Sequence, residues 1–138
     1  MAEQKREWSF GKHRIWLEPP DVLVVKYDGD VRLEDAQRVM EVFREVGSRT
    51  PFHAIIHFGE ADMHKDARAH MMQQARAEWF KGLVGVGGNM VQRAVSKTMM
   101  VALYITGKWP VESDFVETEE QARAAITRQR TKRLNSAA

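Results

Sequence analysis

The sequence contains no cysteine. That absence removes a disulfide framework, a thiolate zinc site and a cysteine nucleophile together, and it accords with a reducing compartment. Long apolar runs are missing as well. The richest, Met99-Met100-Val101-Ala102-Leu103-Tyr104-Ile105, is far shorter than the ~20 residues that cross a bilayer, so no membrane span is expected. The opening residues Met1 to Arg6 pass straight into polar sequence without the apolar core of a signal peptide. A cytoplasmic protein is the expectation.

An excess of one charge is also lacking, since 21 Lys and Arg stand against 19 Asp and Glu for a formal net charge of +2. Bulk electrostatics therefore do not announce a nucleic-acid binder. Arg123, Arg128, Arg130, Lys132 and Arg133 do gather near the C-terminal end. Cations suit the negative end of a helix macrodipole, and neither interleaved aromatics nor a nucleic-acid motif accompanies them. A solvated helix face is the simpler account, and no nucleic-acid partner is expected. Serine and threonine are absent between Thr50 and Ser96, which removes every hydroxyl phosphoacceptor from that third of the chain.

What is present suffices for one core: 138 residues with 43% hydrophobic composition lie near the commonest domain size. A single domain over 1–138 is expected, with about 1–6 and 132–138 flexible. No internal repeat or low-complexity segment appears. Trp8 to Phe10 and His13 to Glu18 alternate like strands around Gly11-Lys12, which predicts an opening hairpin, and Pro19-Pro20-Asp21 forces a turn. Val22-Leu23-Val24-Val25 is a β-branched run suited to a strand buried on both faces. From Leu33, the positions Ala36, Val39, Met40, Phe43 and Val46 recur at helical spacing, with Gly47 placed as a C′ glycine.

Phe52 to Phe58 is the next strand, Glu60 to Lys65 a loop and Asp66 to Phe80 a helix closed by Gly82. Leu83 to Val86 then reads as a short strand, Met90 to Ile105 as a long helix, and Asp114 to Glu117 as the last strand. Thr118 is a suitable N-cap for a final helix to about Arg130. Strands that alternate with helices imply a mostly parallel sheet covered by helices. The most apolar strands, Val22 to Tyr27 and Phe52 to Phe58, belong at its centre. Val24, Phe43, Ile56, Val86 and Leu103 are the expected core.

Three stretches carry a resemblance. Tyr27-Asp28-Gly29-Asp30 leads into Leu33-Glu34-Asp35-Ala36, Val86-Gly87-Gly88-Asn89 is followed by Arg93, and Phe115-Val116-Glu117-Thr118 runs into Glu119-Glu120-Gln121-Ala122. In their order and spacing they resemble the small bacterial SpoIIAA-like (STAS/SEC14-type) family over nearly the whole chain. The resemblance implies an α/β fold with four or five mostly parallel strands, four helices and the order ββαβαβαβα. It also implies a regulatory protein that binds rather than catalyses, with no cofactor. Anti-sigma-factor antagonists of this fold carry a serine, often within Asp-Ser-x-Gly, between the second crossover strand and its helix, where a partner kinase phosphorylates it. The matching stretch here, Gly59 to Asp66, has no hydroxyl, so that switch is lost or relocated. The expected docking surface for a protein partner, such as an anti-sigma factor or a kinase-like protein, is Glu60, Asp62, Met63, His64, Lys65 and Asp66.

Other readings stay open. Gly87, Gly88, Asn89 and Arg93 follow a strand as an anion-binding turn would, yet there is no third glycine for a dinucleotide fingerprint and no Gly-Lys-Ser/Thr. Tight-turn packing competes with ligand binding there. His53, His57, His64 and His70 fall near Asp62 and Asp66, and Asp66 and His70 would share a helix face, a weak metal candidate without zinc-protease spacing. On strand alternation, His53 and His57 share a face that a helix or a dimer partner would cap. Ser96 and Thr98 lack a nucleophile elbow, and no dedicated acid/base pair stands out, so an enzyme is not expected. The apolar run is most simply a buried helix, though its methionines could also line an adaptable pocket. The likeness of the family to lipid-carrying SEC14 domains implies a small apolar, lipid-like ligand as the alternative function. Trp8, Trp16, Trp79 and Trp109 raise the expectation of a homodimer.

Overall fold

The computed structural model describes residues 6–59, 62–88, 94, 97–98 and 111–137. Six strands lie in the order β1-β2-β3-β4-β5-β6. The first two, β1 (Arg6–Phe10) and β2 (His13–Glu18), form the expected hairpin, with Trp8 opposite Ile15. β2 continues antiparallel into β3 (Val22–Lys26). From there the sheet is parallel, through β4 (Phe52–His57), β5 (Phe80–Val86) and β6 (Ser113–Val116). The apolar runs of β3 and β4 occupy the centre, paired Val24 to Ile55. The count of four or five strands is corrected to six: both arms of the opening hairpin pair into the same sheet as the later parallel strands, and the chain order begins βββα.

Among the described residues, two helices cover one face. α1 (Leu33–Gly47) buries Ala36, Val39, Met40, Phe43 and Val46, the stripe its periodicity predicts, and the Asp35 carboxylate accepts the Arg32 backbone N–H at 2.9 Å to close its first turn. This stripe packs with Ile15, Leu23, Val25, Phe52, Ala54 and Leu83. Phe43, Phe52 and Phe80 meet at 5.0 to 5.5 Å between ring centroids, within the range where tilted aromatic pairs attract. α2 (Lys65–Gln74) lies beside α1 and contributes the buried Ala67. On the opposite face α3 (Glu119–Ala137) sets Ala122, Ala125 and Ile126 on Val22, Val24, Ile55, Val84 and Val86. Its start is capped as expected: the Thr118 hydroxyl accepts the Gln121 N–H at 3.1 Å, and the Gln121 side-chain oxygen accepts the N–H groups of Glu117 and Thr118.

Several local expectations change. The second helix ends at Gln74 instead of Phe80, because Ala75 and Arg76 turn extended and Ala77–Trp79 forms a short 3-10 turn that drives Trp79 into the core. Burial of an indole outweighs continuation of a helix that has little else to bury. Gly47 is the last helical residue and not a C′ glycine; Ser48 follows it with right-handed φ of −72°. Gly82 closes no helix but sits inside β5, where a Cβ would meet the Gln129 side-chain oxygen at 1.9 Å. Ile56 is half-buried, whereas its neighbour Ile55 is completely enclosed. Val24, Phe43 and Val86 are buried as expected. Leu103, Trp109 and, apart from the helical Ala94, Lys97 and Thr98, the helix expected over Met90 to Ile105 lie outside the described residues. Among the described residues, no helix is long and apolar enough to cross a membrane.

Candidate functional site

The C-terminal ends of parallel strands are where open α/β sheets place their binding sites, and here the segments leaving β3 and β4 emerge side by side. The Tyr27 N–H donates to the His57 carbonyl at 3.1 Å, so the pairing of β3 and β4 runs one residue past the strand. Farther out the two segments meet again at a bridge between Val31 and Met63. The Val31 N–H donates to the Asp62 carbonyl at 3.0 Å, and the His64 N–H donates to the Val31 carbonyl at 2.9 Å. Val31 is fully buried, and Met63 packs against the α1-side core. Extended backbone alternates its side chains, so with Val31 and Met63 facing inward their neighbours Asp30, Asp62 and His64 face out.

Those three side chains bring their donor atoms within 4.8 Å of one another, and His64 Nε2 stands 3.7 Å from an Asp30 carboxylate oxygen. The loop that carries Asp30 is anchored by a residue that sequence reasoning missed. His13 of β2 is buried and spans the turn: its Nδ1 accepts the Asp28 N–H at 3.0 Å, and its Nε2–H donates to the Asp30 carbonyl at 3.1 Å, with the Asp35 carboxylate at 3.4 Å. The rings of Phe10 and Tyr27 lie 5.7 and 5.6 Å away. Burial pushes the Tyr27 phenol far above its ordinary range, and the nearby Asp35 charge adds to this, so the ring stays neutral. The one available signal was that His13 alternates in phase with the inward Ile15.

The predicted docking residues divide accordingly. Asp62, His64, Lys65 and Asp66 are exposed around the start of α2, where an Asp66 carboxylate oxygen accepts the Ala67 N–H at 2.8 Å. Met63 is an inward anchor rather than part of the exposed surface, and Glu60 lies outside the described residues. Gly87 and Gly88 form a tight turn with φ of 73° and 78°, which only glycine adopts readily, and the Gly87 N–H is taken by the Val116 carbonyl at 3.0 Å. Asn89, Arg93 and Ser96 lie outside the described residues. The Thr98 hydroxyl donates to the Ala94 carbonyl at 2.9 Å, a back-bond within one turn.

The histidines do not converge on one metal. His53 and His57 lie on the far face, capped by α3 as one sequence alternative proposed: His57 Nε2 meets the Glu119 carboxylate at 2.8 Å, and His53 Nδ1 meets the Gln129 side-chain oxygen at 3.1 Å. Among the described residues the group with metal-ligand spacing is Asp30, Asp62 and His64; Asp66 and His70 do not join it. Among the basic C-terminal residues, Arg123 pairs with Glu18 and Glu119, Arg130 with Asp21, and Lys132 with Glu112. Of the four tryptophans, Trp79 is buried inside the chain and so is removed from any interface.

No protein-family model matches the chain, and no curated protein does. A solved structure does: that of the anti-sigma factor antagonist SpoIIAA in its unphosphorylated form aligns with 83% of this chain and 97% of its own, at a TM-score of 0.61 and 9% identity. At that identity the likeness speaks for architecture alone. With a mixed six-stranded sheet and, among the described residues, two helices on one face and a terminal helix on the other, the protein has a SpoIIAA-like, STAS-type fold.

Proposed function

We propose that the protein is a non-catalytic regulatory module that docks a protein partner on the surface around Asp30, Asp62, His64 and Asp66. The observation that carries this is the alignment of nearly the whole chain with an anti-sigma factor antagonist, combined with a lip of charged residues presented on two backbone-clamped segments. A lip held by its own backbone meets a partner with little ordering cost, the usual condition for specific docking. Asp30 was absent from the surface expected from sequence and joins it because β3 and β4 are adjacent. Between Thr50 and Ser96 there is no hydroxyl, so control of this surface comes from something other than Ser/Thr phosphorylation within it.

The test compares tagged wild type with an Asp62→Ala/His64→Ala/Asp66→Ala variant in the native cell, with chemical cross-linking and native mass spectrometry. The expected result is a stoichiometric protein partner for wild type, and at least about tenfold less of it for the variant. The thermal midpoint should stay within a few degrees, because exposed substitutions seldom move stability by more than ~0.5 kcal/mol each. A wild type that carries a bound lipid and no protein would establish the apolar-ligand function instead. A variant that captures the partner undiminished would place docking elsewhere.

A further inference from the structure

We infer that His53 is an acid-sensitive latch for the C-terminal half of α3. The ring is fully buried near the start of β4, on the face that α3 covers. Its only side-chain partner among the described residues is Gln129, from 76 positions away in the chain. The orientation of that amide follows from its other contacts. The Gln129 NH2 group donates to the Leu83 carbonyl at 3.2 Å and to the Asp114 carboxylate at 3.0 Å, both of which only accept. The Gln129 oxygen must therefore face His53, and an oxygen only accepts, so His53 Nδ1 carries the proton. His53 is then neutral, with its lone pair on Nε2. That atom is buried and has no hydrogen-bond partner.

A second proton can bind only at Nε2, where no group among the described residues accepts it. The described groups facing this site offer no free counter-charge. From the turn before β3, the Asp21 carbonyl takes the His53 N–H at 2.8 Å, while the Asp21 carboxylate is held by Lys81 of β5 at 3.0 Å and by Arg130 of α3. From β6, the Asp114 carboxylate is engaged by Gln129. The register neighbours on β3 and β5 are Val22 and Gly82, which are uncharged. Two carboxylates thus face two side-chain cations, and an imidazolium would be surplus. Burial already pushes the His53 ring below the ordinary histidine range; Gln129 and Asp21 oppose this in part, and Arg130 and Lys81 reinforce it.

An uncompensated buried cation is relieved by readmitting water, and α3 is the element that closes this site. The other end of the same helix behaves differently. His57, four residues along the same strand face, meets the Glu119 carboxylate, a contact that a protonated imidazole keeps as an ion pair. Glu119 also pairs with Arg123, which reaches Glu18 of β2. Acid therefore loosens α3 around Gln129 while its first turns stay pinned. Release from Gln129 onward opens the polar end of this face, where Gln129 joins His53, the Leu83 carbonyl and Asp114, and the latch is a pH-dependent gate on that end.

Amide hydrogen exchange of the full chain at pH 7.5 and 5.5, corrected for the intrinsic rate, reads the gate directly. The expected result is a several-fold loss of protection over 127–137, up to about tenfold, the most that linkage to one ordinary histidine yields between these pH values, with protection over 119–125 retained. The His53→Asn variant keeps a donor toward Gln129 and cannot titrate, so its α3 protection should be independent of pH across this range. Nitrogen chemical shifts of the wild-type ring supply a readout that needs no variant: they should show the Nδ1–H tautomer at pH 7.5, titrating together with the loss of protection. Equal loss along the whole of α3, an Nε2–H tautomer, or the same acid release in His53→Asn would overturn the proposal.

Discussion

A Cβ built on Gly47 would stand 2.5 Å from the Cβ of Trp79 and 3.0 Å from its Cα. The end of α1 and the turn before β5 touch backbone to backbone at this point, and neither atom of Trp79 can swing aside as a side-chain tip would. Alanine is ordinarily better than glycine within a helix by ~1 kcal/mol. Here Gly47→Ala should instead destabilise by about 1–3 kcal/mol, the usual cost of overpacking, read as a lower midpoint in urea denaturation with an unchanged slope.

Ile55 and Ile56 separate two measures of burial that composition alone does not distinguish. Ile55 faces α3 and is wholly enclosed, while Ile56 faces the α1 side and is half-buried. Ile55→Ala should cost about 2–5 kcal/mol, and Ile56→Ala roughly half as much, in the same chemical denaturation experiment. An equal cost at both positions would show that the α1 side encloses Ile56 more fully than the structure indicates.

His13→Ala should loosen the functional lip without touching it. The substitution strands the Asp28 N–H and the Asp30 carbonyl, both held by the ring. Two part-buried hydrogen bonds at about 0.5–1.5 kcal/mol each amount to a cost of about 1–3 kcal/mol. Faster hydrogen exchange should centre on 28–32 and spread to 62–64 through the Val31–Met63 bridge, and partner capture should fall even though no surface residue has changed.

Asp21 makes the acid limb of stability predictable. Burial by itself pushes its carboxyl up, but the Lys81 hydrogen bond and the charges of Arg130 and Lys81 outweigh it and hold the folded-state pKa below 3.8. A depressed carboxylate contributes stability that is fully present above 3.8 and is lost as pH falls through the folded-state value. Asp21→Asn should therefore cost about 1–3 kcal/mol at neutral pH, and wild type and variant should converge in strong acid. A pH series of thermal midpoints checks both limbs.

By itself, the sequence determined whatever depends on near neighbours in the chain. The helical stripe of Ala36, Val39, Met40, Phe43 and Val46, the β-branched run Val22 to Val25 and the Thr118–Gln121 cap each arise within a few residues, so propensity and periodicity are enough to reveal them. The hydroxyl-free segment after β4 was equally visible, and with it Asp62, His64 and Asp66 of the exposed lip. Tertiary structure decided the rest. Nothing local distinguishes the helix-ending role expected of Gly47 and Gly82 from the close approach they provide to Trp79 and Gln129. His13 met Asp30, Val31 met Met63 and His53 met Gln129 only once antiparallel and parallel pairing and the packing of α3 had laid distant segments side by side. The physical reason is one of range: turn and helix preferences act over a few residues, whereas burial and hydrogen-bond satisfaction are settled between chain segments that the sheet brings together.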